Sequence, residues 1–284
     1  MASEKKVEVI KLTDREISIY FENYRRSLIN ALRRIILSDV PSMTVDFVYF
    51  YDNRTAVPSE IIAHRLGLTV LDSNEAIKKY KSPEECKEAD EKDGGCYVEI
   101  FLEKGLPEEA EAGSYVRASD LIISDPAVKP VFPSTPLIYL APGQRIHLVA
   151  YARLGRGREH AKWMPASISV LRYVPVVEYD GSKASPQCLE CLSAYPELVE
   201  KLRKGEKGRM ALVDPEIKTS AMKYCEEARG VCEGAIKVVY DESKLLLTVE
   251  STGTLKPETI VAEAINALEA RVKRVLDAIS GAEW

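Results

Sequence analysis

Apolar residues recur every three or four positions in two stretches of this chain and every second position in several others, and that contrast lays out its elements. Leu28, Ile29, Leu32, Ile35 and Ile36 keep helical spacing until Ser38-Asp39-Val40-Pro41 stops the pattern, with Asn23 as the predicted N-cap. A longer stripe begins after Pro257 and ends before Gly281: Ile260, Val261, Ala264, Ile265, Leu268, Val272, Val275, Leu276 and Ile279. At roughly 23 residues this helix is about twice the usual length, and a stripe that long calls for a partner helix as well as a core of its own. Val45, Phe47, Tyr49 and Tyr51 alternate with Asp46, Val48, Phe50 and Asp52, which predicts a strand with one strongly apolar face. Pro58-Ser59 opens a short helix through Leu66, with Gly67 as its predicted C-cap. Residues 7–21 read as a hairpin turning at Thr13-Asp14-Arg15, and residues 236–249 as a second hairpin turning at Asp241-Glu242-Ser243. Short strands punctuated by Pro and Gly fill much of 96–177, while 72–96 is a polar surface excursion. Both ends of the chain thus share a β-β-α grammar, and a sheet built from both would place two amphipathic helices side by side.

Composition narrows the class. The chain has 284 residues, 46% of them hydrophobic and 29% charged, which suits a globular protein of two or three domains with ample core. A net charge of −5 argues against a general nucleic-acid binder, although Arg25, Arg26, Arg33 and Arg34 make one cationic helix flank. No apolar run reaches the length of a membrane span, and MASEKKVEVI lacks the apolar core of a signal peptide, so an intracellular, cytoplasmic protein is expected. His64 at a helix C-terminus has no matching nucleophile nearby, and Gly155-Arg156-Gly157 lacks the context of a phosphate-binding loop. No catalytic residue is expected.

NALRRIILSDVP (Asn30 to Pro41), EIIAHRLGL (Glu60 to Leu68), GRGREHAKW with Pro165 (Gly155 to Trp163), and ESTGTLKPE (Glu250 to Glu258) together resemble the alpha-like subunits of cellular RNA polymerases, closest to the archaeal D branch. The resemblance spans nearly the whole chain. It implies an α+β fold in which a discontinuous dimerisation domain, 1–44 with 236–284, is interrupted by a mostly β insert, 45–181, and a small ferredoxin-like cysteine-containing module, 182–235. It also implies a non-catalytic scaffold of a nucleotidyltransferase complex, which pairs with a smaller alpha-like subunit (subunit L in archaea) and then recruits large polymerase subunits beside other small ones. No membrane contact and no sequence-specific DNA contact are expected. The interface residues so implied are Leu28, Leu32, Ile36, Ile265, Leu268 and Val272 toward the small partner. Arg33, Arg34, His160, Lys162 and Trp163 would face a large subunit.

The cysteines suggest a second reading. Cys188-x2-Cys191 followed by Cys225-x6-Cys232 is half of a metal motif with a poor other half. Some members of the resembled branch hold an iron–sulfur cluster here, but Met222 and Ala228 occupy two of its ligand positions. The four cysteines stay open between disulfides, free thiols and a cluster, so an iron–sulfur electron carrier is the alternative function, and no cofactor is expected on the main reading. Cys86 and Cys96 lie where eukaryotic relatives use four cysteines for zinc. With only two left, zinc is not carried over and a disulfide is the livelier choice.

Overall fold

The computed structural model describes residues 4–90, 93–214, 216 and 219–281. In chain order the elements are β1 (Lys6–Leu12), β2 (Glu16–Glu22), α1 (Arg26–Ser38), β3 (Pro41–Asn53), α2 (Ser59–Gly67), α3 (Ala76–Lys79), β4 (Tyr97–Gly105), β5 (Ser114–Arg117), β6 (Ile122–Ile123), β7 (Pro136–Leu140), β8 (Arg145–Arg156), β9 (Ala166–Asp180), α4 (Pro186–Cys191), α5 (Pro196–Arg203), β10 (Lys207–Ala211), α6 (Thr219–Lys223), β11 (Ile236–Ser251) and α7 (Pro257–Ser280). Helices beside antiparallel sheets make the chain α+β. Its residues group into two compact units, Met1–Ala31 with Val170–Thr248 and Leu32–Ser169 with Val249–Trp284. The division falls inside α1, β9 and β11.

The first unit is organised on a sheet of order β1-β2-β11-β9-β10. The first hairpin forms as its alternation predicts. Val7 lies opposite Phe21, and the Thr13 hydroxyl turns the chain by accepting the amides of Arg15 (3.3 Å) and Glu16 (3.0 Å). The second hairpin does not form: β11 is one strand of 16 residues. Ser243, expected in its turn, instead gives its carbonyl to the Asn23 amide at 2.8 Å, and Thr248 meets Ser18 at 2.9 Å, so β11 runs straight along β2. The turn chemistry read at Asp241 is real but local. Its carboxylate accepts the amide (3.0 Å) and hydroxyl (2.6 Å) of Ser243 and pairs with Lys244 (2.7 Å), without reversing the chain. Asn23 is likewise not a helix cap. It adopts the left-handed conformation, φ 63°, and donates to the Glu4 carbonyl at 2.6 Å, while the Arg25 carbonyl receives the first α1 amides.

The rest of this unit packs α4, α5 and α6 over a core of Val177, Leu192, Leu198, Leu202, Met222 and Ile236. Within that core lie two disulfides, Cys188–Cys232 and Cys191–Cys225.

The second unit carries a sheet of order β3-β8-β4-β6 and a separate β5–β7 pair. Met43, Val45, Ile62, Leu66, Ile100, Leu102, Leu137 and Leu148 form its core with their neighbours. The alternation of β3 breaks where its register against β8 shifts, between Val45 and Phe47 and again between Phe50 and Asp52. Beyond the first bulge the parity inverts: Val48 and Phe50 pack on the core, and Phe47, Tyr49 and Tyr51 go to the other side of the sheet from Val45. One apolar face read from the sequence is therefore split between two. α2 begins after Pro58, but Gly67 is its last helical residue and Leu68 caps it. Gly67 is buried, and a Cβ there would meet the Lys162 side chain and the Val45 carbonyl at ordinary contact distance, 3.7 and 3.8 Å. The excursion is closed by a third disulfide, Cys86–Cys96.

Candidate assembly surface

The end of β8 and the segment after it fold onto the end of α1 because they contain two glycines, Gly155 and Gly157, that nothing larger could replace. A Cβ on Gly155 would lie 2.2 Å from the Trp163 ring, and one on Gly157 would lie 2.0 Å from the Leu37 carbonyl oxygen. The Arg158 amide then donates to the Ser38 carbonyl at 3.0 Å. This docking delivers Arg156 and Arg158 to Asp39, a carboxylate 3% exposed. Arg158 pairs with it at 3.2 Å, Arg271 of α7 reaches the same oxygen at 2.5 Å, Ser38 donates to the other, and Arg156 donates to its backbone carbonyl. Arg156 also grips Glu84 through two nitrogens, at 2.8 and 2.7 Å, and Arg158 joins at 2.8 Å. That hydrogen bond from Arg156 holds the Glu84 carboxyl below its ordinary range, although burial opposes it.

A second knot lies further along the loop. Arg153 and Lys162 share Asp46, at 2.7 and 3.2 Å, and Arg153 also pairs with Glu159 at 3.1 Å. Both cations sit on the Trp163 ring, 4.6 and 4.2 Å from its centre. Lys162 additionally donates to the Val45 carbonyl at 2.9 Å. Burial pulls its ammonium below the ordinary range, and Asp46 offsets only part of that.

These contacts correct several expected roles. Trp163 is 3% exposed and Lys162 is mostly covered, so both fix the loop from within and neither is a surface anchor. His160 is exposed and its Nδ1 accepts the Lys162 amide at 3.0 Å. Arg34 is exposed; Arg33 is partly covered and lies over Ser169, whose hydroxyl donates to its carbonyl at 3.2 Å. Along α1, Leu32 and Ile36 are buried in this chain, and only Leu28 of the three expected partner contacts remains open. On α7 the division is by position. Pro257, Ile260, Val261 and Ala264 are buried, Leu268 is half-buried, and Ile265, Val272, Val275, Leu276 and Ile279 are exposed.

Asp39, Glu84, Arg156, Arg158 and Arg271 were not singled out as a network. The available signal was the paired glycines around Arg156, which imply close backbone approach without saying to what. All six cysteines are in disulfides, and among the described residues no cluster of His, Cys, Asp or Glu could hold a metal ion.

Residues 18–272 match the RNA polymerase Rpb3/Rpb11 dimerisation domain family. The chain belongs to this family. It is 54% identical to the DNA-directed RNA polymerase subunit Rpo3 of Aeropyrum pernix over 97% of its own length and 96% of that relative. The Rpo3 of Methanothermobacter thermautotrophicus is 34% identical, over 95% and 97%. The DNA-directed RNA polymerase II subunit rpb3 of Dictyostelium discoideum is 29% identical, over 99% and 95%. Among the described residues, the chain leaves one long apolar helix face open. In this member that face lies on α7.

Proposed function

We infer that this chain is a non-catalytic assembly subunit of DNA-dependent RNA polymerase, and the observation that carries this is a dimerisation-family chain whose α7 keeps its outer four turns apolar and exposed. That stripe would take the helices of a smaller alpha-like subunit of the L type. Burial of both apolar faces drives the pairing. The three functional segments are the discontinuous dimerisation domain (1–44 and 236–284), the β-rich insert (45–181) and the ferredoxin-like module (182–235). In the module the two disulfides take over the bracing that a cluster would supply. Arg33, Arg34 and His160 face a large catalytic subunit, and other small polymerase subunits join afterwards. The chain works in the cytoplasm, off the membrane and without reading DNA sequence.

Co-expression with the smaller subunit tests the pairing: a stable 1:1 heterodimer is expected, and a chain that stays alone or self-associates in its presence refutes it. Arg33→Ala with Arg34→Ala should leave that heterodimer intact and weaken capture of the large subunit in pull-downs. Unchanged capture would remove those arginines from the interface. The electron-carrier reading finds no supporting observation, since every cysteine sulfur is paired with another.

A further inference from the structure

We propose that Arg271 is a positioning residue for the pairing: through Asp39 it sets the direction in which the outer turns of α7 leave this chain, and so how readily the smaller subunit engages them. This rests on the assembly reading and deepens it, because Arg271 acts without itself being a contact of the partner.

Arg271 is the last residue of α7 that the chain covers. The covered side descends the helix in steps of three and four, from Ile260 and Val261 through Ala264, Ala267 and Leu268 to Arg271, and every residue from Val272 to Ser280 is exposed. These nine residues rise about 14 Å beyond it. A helical segment this short draws its stability from tertiary packing, so its direction is inherited from the last fixed point. A swing of ~15° there carries the end of the helix about 4 Å, more than a close-packed helix pair tolerates.

The fixed point is Asp39. It is 3% exposed, its amide donates to the Ile35 carbonyl at 2.8 Å, and its own carbonyl accepts from Arg156. A buried carboxylate just past the end of α1 faces the negative end of that helix and needs a cation. Arg158 supplies one at 3.2 Å, so neutrality does not require a second guanidinium. Arg271 nevertheless reaches the same oxygen at 2.5 Å from a different helix. What the second arginine adds is place rather than charge. Its own helix offers it no alternative, since the residues three and four positions away are Ala267, Leu268, Arg274 and Val275. Among the described residues, no other side-chain hydrogen bond or ion pair ties α7 beyond Ala264 to the rest of the chain.

The test pairs the full chain with the smaller subunit. Arg271→Gln should slow association and weaken affinity about tenfold, with little change in dissociation, because fewer free molecules hold α7 in the docking direction. In the free variant the amides of 272–280 should exchange hydrogen about tenfold faster, and in the heterodimer they should return to the level of the unaltered chain. Arg271→Lys keeps the charge without the planar fork and should recover the association rate only in part; full recovery would make charge, not placement, the contribution of Arg271 and overturn the proposal. A double-mutant cycle separates positioning from contact. In a chain already carrying Asp39→Asn, Arg271→Gln should cost nothing further, whereas the same tenfold loss there would make Arg271 a direct contact and overturn the proposal. Association at the rate of the unaltered chain, or unchanged exchange over 272–280, overturns it as well. The exchange measurement does not depend on the Asp39→Asn chain folding, since Arg158 still neutralises Asp39 in Arg271→Gln. The two readings fail separately. If the unaltered chain does not pair with the smaller subunit, the assembly assignment falls; if it pairs and Arg271→Gln pairs equally fast, only this role does.

Discussion

α1 buries most of its apolar stripe within its own chain, whereas α7 buries two turns and leaves about four open, although both stripes have the same periodicity. Ile29, Leu32, Ile35 and Ile36 are covered. Beyond Ala264, Ile265, Val272, Val275, Leu276 and Ile279 face outward at 43 to 59% exposure, with only Leu268 half-buried. The difference teaches that amphipathicity announces a burial partner without saying whether it lies in the same chain. It also separates two kinds of residue, those whose loss damages the fold and those whose loss damages only an association.

Substitutions on the two helices can break or sharpen that contrast. Ile36→Ala, at a fully buried site, should cost about 2–5 kcal/mol in urea unfolding of the chain. A cost below about 1 kcal/mol would mean the stripe of α1 is less committed than its burial indicates. Asp39 joins the helices, since Arg271 of α7 and Arg158 share its carboxylate at the end of α1. Asp39→Ala should cost about 1–3 kcal/mol, less than loss of a fully buried pair, because both arginines are about half exposed and water can solvate them.

On the open part of α7 the signature reverses. Val272→Ser with Leu276→Ser should leave unfolding of the chain within about 0.5 kcal/mol, yet weaken the heterodimer about tenfold by titration calorimetry or competition. Equal losses in stability and affinity would erase the distinction between the helices.

The smallest effect is acid dependence in the second unit. Burial alone would raise the Asp125 carboxyl, but hydrogen bonds from Lys79 (2.7 Å) and Tyr80 outweigh it and hold it at about 2. A depressed carboxyl stabilises the fold above its unfolded value near 4, and that share disappears as pH falls from about 4 to 2. Asp125→Asn should flatten the stability profile in that window. Heterodimer affinity near neutral pH should not respond.

Much of the local architecture was legible. The first hairpin and both long helices with their limits near Ser38 and Gly281 follow from periodicity and from Pro and Gly punctuation, as do strands read at 96–102, 137–140, 145–154 and 168–177, which the structure extends to 97–105, 136–140, 145–156 and 166–180. The failures share a cause. Asp241-Glu242-Ser243 has the side chains of a turn, but β2 and β9 hold β11 straight on both sides, so ladder bonding overrode local preference. Gly67 looked like a cap and is instead the last, buried residue of α2, with Leu68 capping it. Val45 to Tyr51 alternate without a flaw, and only pairing with β8 introduces the bulge that exchanges the faces. Trp163 and Lys162 have the composition of a contact surface, yet the approach of Gly155 draws the indole inside.

The family and the long apolar stripe of α7 were determined by the sequence, because motifs and periodicity are properties of neighbours along the chain. The pairing of the six cysteines, the arginine network closing on Asp39, the inverted face of β3 and the division between covered and open stripe were decided only by the tertiary structure. Each depends on residues tens to hundreds of positions apart, such as Asp39 and Arg271, whose proximity no local pattern encodes.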